Sequence, residues 1–277
     1  MSTETNQNEI NNYQCDVLIV GGGPTGMSFA CSLADTDLKV IIIDKQPMDS
    51  ITDFKFDGRD IALTFFSKNV LDTNGIWQYL PDDCISYIKQ AKVYNGSSAY
   101  SLDFNSTDMC LEKLGYLVSN HQIKQAIYER LIQLDNVTLL PDQAVEKITY
   151  RSQYSRLTTA GGLNVDARLI IAADSRFSNT RSLLGIKTRS FDYGHVAIVC
   201  RMEHDLPHHN IAHECFLYGE TLAALPVKGN VSSIVLTMPP HKANEIIGFD
   251  NNAFNHYIQQ RLKNKLGSMK LISEKHN

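Results

Sequence analysis

Gly21, Gly23 and Gly26 stand in G-x-G-x-x-G spacing within Asp16-Val17-Leu18-Ile19-Val20-Gly21-Gly22-Gly23-Pro24-Thr25-Gly26. That spacing suits a strand-to-helix turn that takes a dinucleotide pyrophosphate. The first glycine permits the tight turn, the second lets the phosphates approach the backbone, and the third lets the helix pack closely on the sheet. The helix start would offer free N–H groups and a positive dipole end to the phosphates. Asp44 follows eighteen positions after Gly26. A carboxylate there can accept both hydroxyls of an adenosine ribose and would repel a 2′-phosphate, so the expected nucleotide is FAD or NAD rather than bound NADP. The bland alternative is a structural glycine turn with an ordinary acidic residue at a strand end. A second polar cluster, Asp174-Ser175-Arg176-Phe177-Ser178-Asn179-Thr180-Arg181, follows the apolar run Leu169 to Ala172. Its bland reading is a salt-bridged cap on a helix start. His204, His208, His209 and His213 tempt with metal-like spacing, but Pro207 forbids a continuous helix, and no metal site is expected.

The elements that would position these residues follow from apolar periodicity. Cys15 to Val20 predicts a buried strand, Pro24 to Ala34 a helix and Leu38 to Asp44 a second strand, together a β-α-β unit. A polar loop to Arg59 and a helical stretch ending near Asn74-Gly75 come next. Asn95-Gly96 predicts a hairpin. Tyr116 to Ser119 predicts a strand, Ile123 to Leu134 a helix, and Val137 to Leu140 a further strand. Residues 145–151 and 156–159 alternate as hairpin strands, and 168–172 predicts a buried parallel strand. After Arg189, strands at 195–202, 214–218, 222–227 and 232–238 predict an antiparallel layer, followed by a helix over 252–266 with a basic face.

With 277 residues, 43% hydrophobic and 20% charged, the composition is that of a globular protein with a sizeable core. A net charge of −4 gives no basic field for nucleic acid. No apolar run is long enough to span a membrane, and the Asn-rich stretch 1–12 lacks the core of a signal peptide. Six cysteines without C-x-x-C spacing predict reduced thiols. The expected location is cytoplasmic, with at most a peripheral contact to the inner membrane.

The strand ending in Asp174, with Ser178 and Arg181 behind it, resembles the second fingerprint of flavoprotein monooxygenases of the p-hydroxybenzoate hydroxylase fold. Gly21 to Gly26 resembles the first. Gly58-Arg59-Asp60-Ile61-Ala62-Leu63 looks like the arginine-bearing segment near the flavin, and Val118-Ser119-Asn120 matches the place of a cofactor-facing amide. Phe191 to Gly194, Pro207-His208, Ala212 to Phe216 and Leu225-Pro226 are similar to the ubiquinone-biosynthesis hydroxylases within that family, with Asp-Ser-Arg-Phe-Ser resembling the 5-demethoxyubiquinol hydroxylase branch. The resemblance runs from Cys15 to about Met238.

It implies an α/β fold: a Rossmann-like FAD-binding domain over 1–190, with a hairpin at 90–106 lent to the other layer, and an antiparallel substrate-sheet domain over 191–277. It implies FAD held by Gly21, Gly23, Pro24, Thr25, Gly26 and Asp44, with Arg59, Asn120 and Asp174 nearby. Arg181 would stabilise that corner or meet a phosphate. It further implies NAD(P)H as electron donor, O2, a polyprenylated ubiquinone precursor as substrate, and other ubiquinone-biosynthesis proteins as partners. No catalytic side chain is named. Two departures stand out. Ser175 replaces the family's usual glycine, and no Gly-Asp third fingerprint follows the sheet, since Gly248-Phe249-Asp250 does not fit. The chain is therefore expected to be a C-terminally truncated member with impaired activity. The rivals are another flavin oxidoreductase of the fold (a prenyl reductase or halogenase), an inactive FAD-binding remnant serving as an assembly partner, and a plain NAD-dependent dehydrogenase.

Overall fold

The computed structural model describes residues 12–98 and 100–276. The chain divides into two compact units. One comprises Met1–Phe54, Leu71–Tyr79 and Ile123–Ser190, and the other Lys55–Val70, Leu80–Gln122 and Phe191–Asn277. Residues 55–70 and 80–122, and not the hairpin alone, thus depart from the expected 1–190 domain. The physical reason is pairing: Asp60–Leu63 and Ser86–Ile88 both bond to Gly115–Ser119, which closes a small three-stranded sheet within the second unit.

The first unit is built on a six-stranded sheet. Four strands run parallel in the order Val137–Leu140, Val40–Ile43, Asn12–Val20, Asn164–Ala172, and Ser155–Thr159 and Val145–Tyr150 extend it antiparallel. Strands of β-branched residues such as Val40-Ile41-Ile42-Ile43 are buried on both faces, as parallel strands require. The register aligns the strand ends: Val20 pairs with Ile43 on one side and Ala172 on the other, and Ile43 pairs with Leu140. Whatever follows Val20, Ile43 and Ala172 in sequence must therefore emerge along one edge.

The strand at 164–172 differs from its predicted burial. Val165 and Ala167 are fully buried, yet Leu169 is 51% exposed. Hydrogen bonding to two neighbours makes a strand central in the sheet but does not cover both of its faces.

The second unit carries a seven-stranded sheet in the order Met269–Leu271, Val196–His204, Val231–Met238, Glu220–Pro226, Ile211–Leu217, Gln90–Asn95, Ser101–Asn105. It is antiparallel except where Gln90–Asn95 runs parallel to Ile211–Leu217. The Asn95-Gly96 turn joins its last two strands as the sequence predicts, with Gly96 at φ +55°. One face packs Ile198, Cys200, Leu222, Ala224, Ile234 and Leu236 against two helices. The helix Pro240–Ile247 escapes sequence reading because of its leading prolines, which suit a first turn. The helix expected over 252–266 runs Asn251–Arg261 and ends before Lys263 and Asn264, both left-handed. Asp250 caps it, accepting the Ala253 N–H at 2.8 Å. Glu220, nearly buried, ties both helices down: it accepts from Tyr257 at 2.6 Å, pairs with Lys242 at 2.7 Å and receives the Arg261 guanidinium. Burial alone would push its carboxyl up, but these donors hold it below the usual range.

Candidate functional site

In the first unit the aligned strand ends enclose a cleft of about 530 Å³, lined by Gly21, Gly23, Asp44, Gln46, Gln143, Asp174 and Ser175 among others. Backbone bonds lock its rim: Gly21 N–H to Ile43 O at 2.8 Å, Ala173 N–H to Val20 O at 2.7 Å and Gln143 N–H to Asp44 O at 2.7 Å.

The three glycines do distinct work. Gly21 sits at φ +117°, and a Cβ there would lie 2.4 Å from the Ala173 carbonyl oxygen. A Cβ on Gly26 would lie 2.0 Å from Gly21 O, so the helix Pro24–Cys31 reaches the sheet only because that position is bare. Gly23 differs, for nothing lies within 4 Å of its Cβ position. It borders open space in the cleft and caps a helix whose first amides no side chain satisfies. Pro24 opens that helix, and Thr25 is exposed beside it.

Asp44 is oriented by its surroundings. Its Oδ2 accepts the Gly22 N–H at 2.6 Å, and its Oδ1 the Gln46 N–H at 2.7 Å. Each oxygen keeps a second lone pair for a hydroxyl donor. The amides at the helix start, the open space over Gly23 and this carboxylate match the chemistry of a dinucleotide, so the residues present fit its ADP half.

Asp174 closes the opposite wall. Its carboxylate accepts the Ser178 hydroxyl, the Thr180 N–H at 3.0 Å and the Thr180 hydroxyl at 2.9 Å. Burial alone would raise its pKa, but these three donors outweigh it and hold the carboxyl below the usual range. Ser178 caps the helix Asn179–Leu183 by accepting the Arg181 N–H at 2.9 Å. Arg181 itself bonds the Arg176 carbonyl at 3.1 Å and is not among the cleft-lining residues. Asp174 therefore braces the corner through hydroxyls and amides rather than through the arginine salt bridges of the bland reading.

Ser175 adopts φ +78°, a conformation that costs an L-residue about 1–2 kcal/mol and glycine almost nothing. Its hydroxyl makes no hydrogen bond among the described residues. Ser175→Gly is therefore expected to stabilise the first unit by about 1 kcal/mol, net of the greater freedom of an unfolded glycine. A urea midpoint that falls would show that the turn gains nothing from glycine.

Arg59 and Asn120 lie together in the second unit, held by a residue that sequence reading passed over. Asp57 accepts the Arg59 Nε at 3.0 Å, its Nη2 in a shorter contact, its backbone N–H at 3.2 Å and the Asn120 amide at 2.8 Å. The Asn120 N–H in turn bonds Arg59 O at 2.9 Å. Burial opposes ionisation of Asp57, yet these bonds pull its pKa down to about 2. The available signal was an acid two positions before a candidate cofactor arginine. Nearby, the Arg201 Nη2 meets buried Asp60 at 2.5 Å and Ser119 at 2.6 Å.

Hydrogen bonds engage His204 and His208. His204 donates through Nδ1 to Leu206 O at 2.8 Å and bonds Ser232 Oγ through Nε2 at 3.0 Å. His208 donates to Val227 O at 2.6 Å and accepts the Asn210 N–H at 3.0 Å. Among the described residues no group of three His, Cys, Asp or Glu side chains is placed to hold a metal. Among the described residues no helix is long and apolar enough to cross a membrane.

The family model described as "FAD binding domain" matches residues 14–274. The chain belongs to that family. It is 39% identical over 266 residues, 95% of its length, to the ubiquinone hydroxylase UbiM of Neisseria meningitidis. It is 33% identical over 252 residues, 91% of its length, to the ubiquinone hydroxylase UbiL of Rhodospirillum rubrum. It spans 58% of each of these relatives. Among solved structures, PqsL of Pseudomonas aeruginosa, a probable FAD-dependent monooxygenase, superposes with a TM-score of 0.74 at 16% identity, over 94% of this chain and 73% of that one. The fold is therefore the expected α/β arrangement of p-hydroxybenzoate hydroxylase type, and FAD is the family's cofactor.

Proposed function

We propose that this chain is the FAD-binding and substrate-sheet part of a monooxygenase that hydroxylates the aromatic ring of a polyprenylated ubiquinone precursor, using NAD(P)H and O2. The observation that carries the reading is the convergence of both fingerprints on one cleft: the Gly21–Gly26 turn and Asp44 on one wall, Asp174 on the other. The identity to ubiquinone hydroxylases supports the substrate class.

In this reading the amides at the start of Pro24–Cys31 take the pyrophosphate, Gly23 lets it approach, and Asp44 accepts the ribose hydroxyls. Asp174 and Ser178 set the opposite wall and Arg181 fixes the corner behind them, while in the second unit Asp57 holds Arg59 and Asn120 together. Bound FAD supplies the electron transfer and oxygen chemistry that no protein side chain provides. The protein's share is to bind, orient and exclude water, so no side-chain acid, base or nucleophile is assigned to the redox steps.

The test is the visible absorption spectrum of the purified chain with added FAD, then with NAD(P)H, then product analysis on a prenylated phenol. A bound flavin bleached by NAD(P)H, and a new ring hydroxyl that depends on O2, support the reading. A chain that leaves FAD free, or that turns over NAD(P)H without an oxygen-dependent hydroxyl, defeats it.

Asp44→Asn keeps the carboxylate's shape and removes its charge. Charge-assisted hydrogen bonds contribute about 1.5–3 kcal/mol, so FAD affinity should fall roughly 10- to 100-fold. Fluorescence titration checks this, and an unchanged Kd would remove Asp44 from the ribose.

A further inference from the structure

The second face of the seven-stranded sheet, opposite its helices, carries a row of side chains in strict register. Leu102 pairs with Val93, Val93 with Glu214, Glu214 with Ala223 and Ala223 with Val235. Side chains in register on one face stand about 5 Å apart. The row is apolar except at Glu214. Toward Leu102 the same face stays apolar, with Ala91 paired to Phe104, and Phe216 lies two residues along from Glu214; its neutral polar positions are Asn95 and Thr221, in register with Phe216, and Ser233 and Thr237 on either side of Val235. Leu102 is 61% exposed, Phe216 49% and Phe104 39%, so this part of the face is open.

Glu214 is half-buried within this surface. Among the described residues it makes no hydrogen bond and no ion pair. Burial pushes its carboxyl up from the ordinary value, with no donor pulling it back. Glu220, equally set among apolar neighbours, has three partners. A carboxyl kept half out of water without a partner costs stability, and such a cost persists where a ligand supplies the partner.

We propose that Glu214 is the acceptor for a phenolic ring hydroxyl, and that the open face around Leu102, Phe104 and Phe216 holds the apolar body of the same molecule. The chemistry of the face selects this occupant. Glu214 is the one carboxylate among these positions, and an unpartnered carboxylate bordered by apolar side chains suits an apolar molecule with one O–H donor and disfavours anions. For the reaction, this rests on the ring hydroxylation proposed above. There the carboxylate would take the phenol proton, leaving the electron pair on the ring oxygen and enriching the ring carbon that is hydroxylated.

The binding itself needs neither FAD nor turnover, so it is tested separately by calorimetric titration of the chain with 4-heptylphenol and with its methyl ether, which cannot donate. The phenol is expected to bind about tenfold more tightly than the ether. Glu214→Leu should bring the two to equal affinity without weakening the ether. Leu102→Asp, at an exposed position, should weaken both about tenfold. Circular dichroism verifies the fold of each variant, and Leu102→Asp keeps the test alive should Glu214→Leu misfold. Equal affinities in the wild-type chain, or no binding of either probe at millimolar concentration, would overturn the proposal. If the phenol preference holds and an FAD-loaded chain yields no hydroxylated product, the hydroxylase reading fails while the binding site stands.

Discussion

Gly26→Ala is expected to destabilise the protein by about 3 kcal/mol and to abolish tight FAD binding. The new Cβ would stand 2.0 Å from the Gly21 carbonyl oxygen and 3.1 Å from Ile19 Cγ2. The first of these is backbone, in the turn itself, and no rotamer change can relieve it. The helix Pro24–Cys31 must move outward, drawing Met27 and Ala30 from full burial and dragging its leading amides off the cleft. Gly23→Ala is the matched control. Its Cβ meets nothing within 4 Å, so stability should stay within about 1 kcal/mol of wild type while FAD affinity drops, since the methyl occupies the approach to the helix start. Urea unfolding of both variants, with flavin titration, separates the roles. Equal stability losses would mean that the turn does not distinguish packing from binding.

Mild acid should destabilise the second unit through His213. Burial is the main cause holding its imidazole neutral, with Lys265, Lys92, His208 and His204 adding repulsion, and its pKa falls to about 4. Its ring lies near the Tyr94 hydroxyl, 3.4 Å from Nδ1, a weak contact that does little to favour the charged form. In the unfolded chain the imidazole protonates near pH 6.5. Between pH 6.5 and 4 the unfolded state therefore binds more protons, and stability falls as pH falls. The loss approaches about 3 kcal/mol near pH 4, and the full stabilisation is present above pH 6.5. His204, lowered mainly by burial, acts in the same direction. Glu214, raised by burial, acts oppositely and takes back part of the loss. His213→Phe isolates the imidazole: denaturation midpoints between pH 7.5 and 4.5 should decline less steeply than in the wild type. Parallel declines would exclude His213 as the acid-sensitive group.

The turn chemistry of the first unit and of the hairpin was legible in the sequence. G-x-G-x-x-G after an apolar strand, an acid at the end of the next strand and Asn-Gly between alternating runs are short-range signals, because they reflect the conformational needs of a few consecutive residues. They located the β-α-β unit, the hairpin at Asn95-Gly96 and the acid, Asp44, at the end of the second strand. Ser175 stands where the resemblance reserves a glycine, and the structure adds that its backbone there is left-handed, at φ +78°. Only the tertiary structure decided what depends on register and coverage. Asp57 became the anchor of Arg59 and Asn120 because a loop folded back onto a helix start sixty-three residues away. Residues 55–70 and 80–122 joined the second unit through strand pairing that local periodicity cannot specify. Leu169 and Glu214 show the same limit from opposite sides. The first is apolar and half-exposed, the second charged and half-buried, because exposure is set by what packs across a face and not by the residue that stands on it.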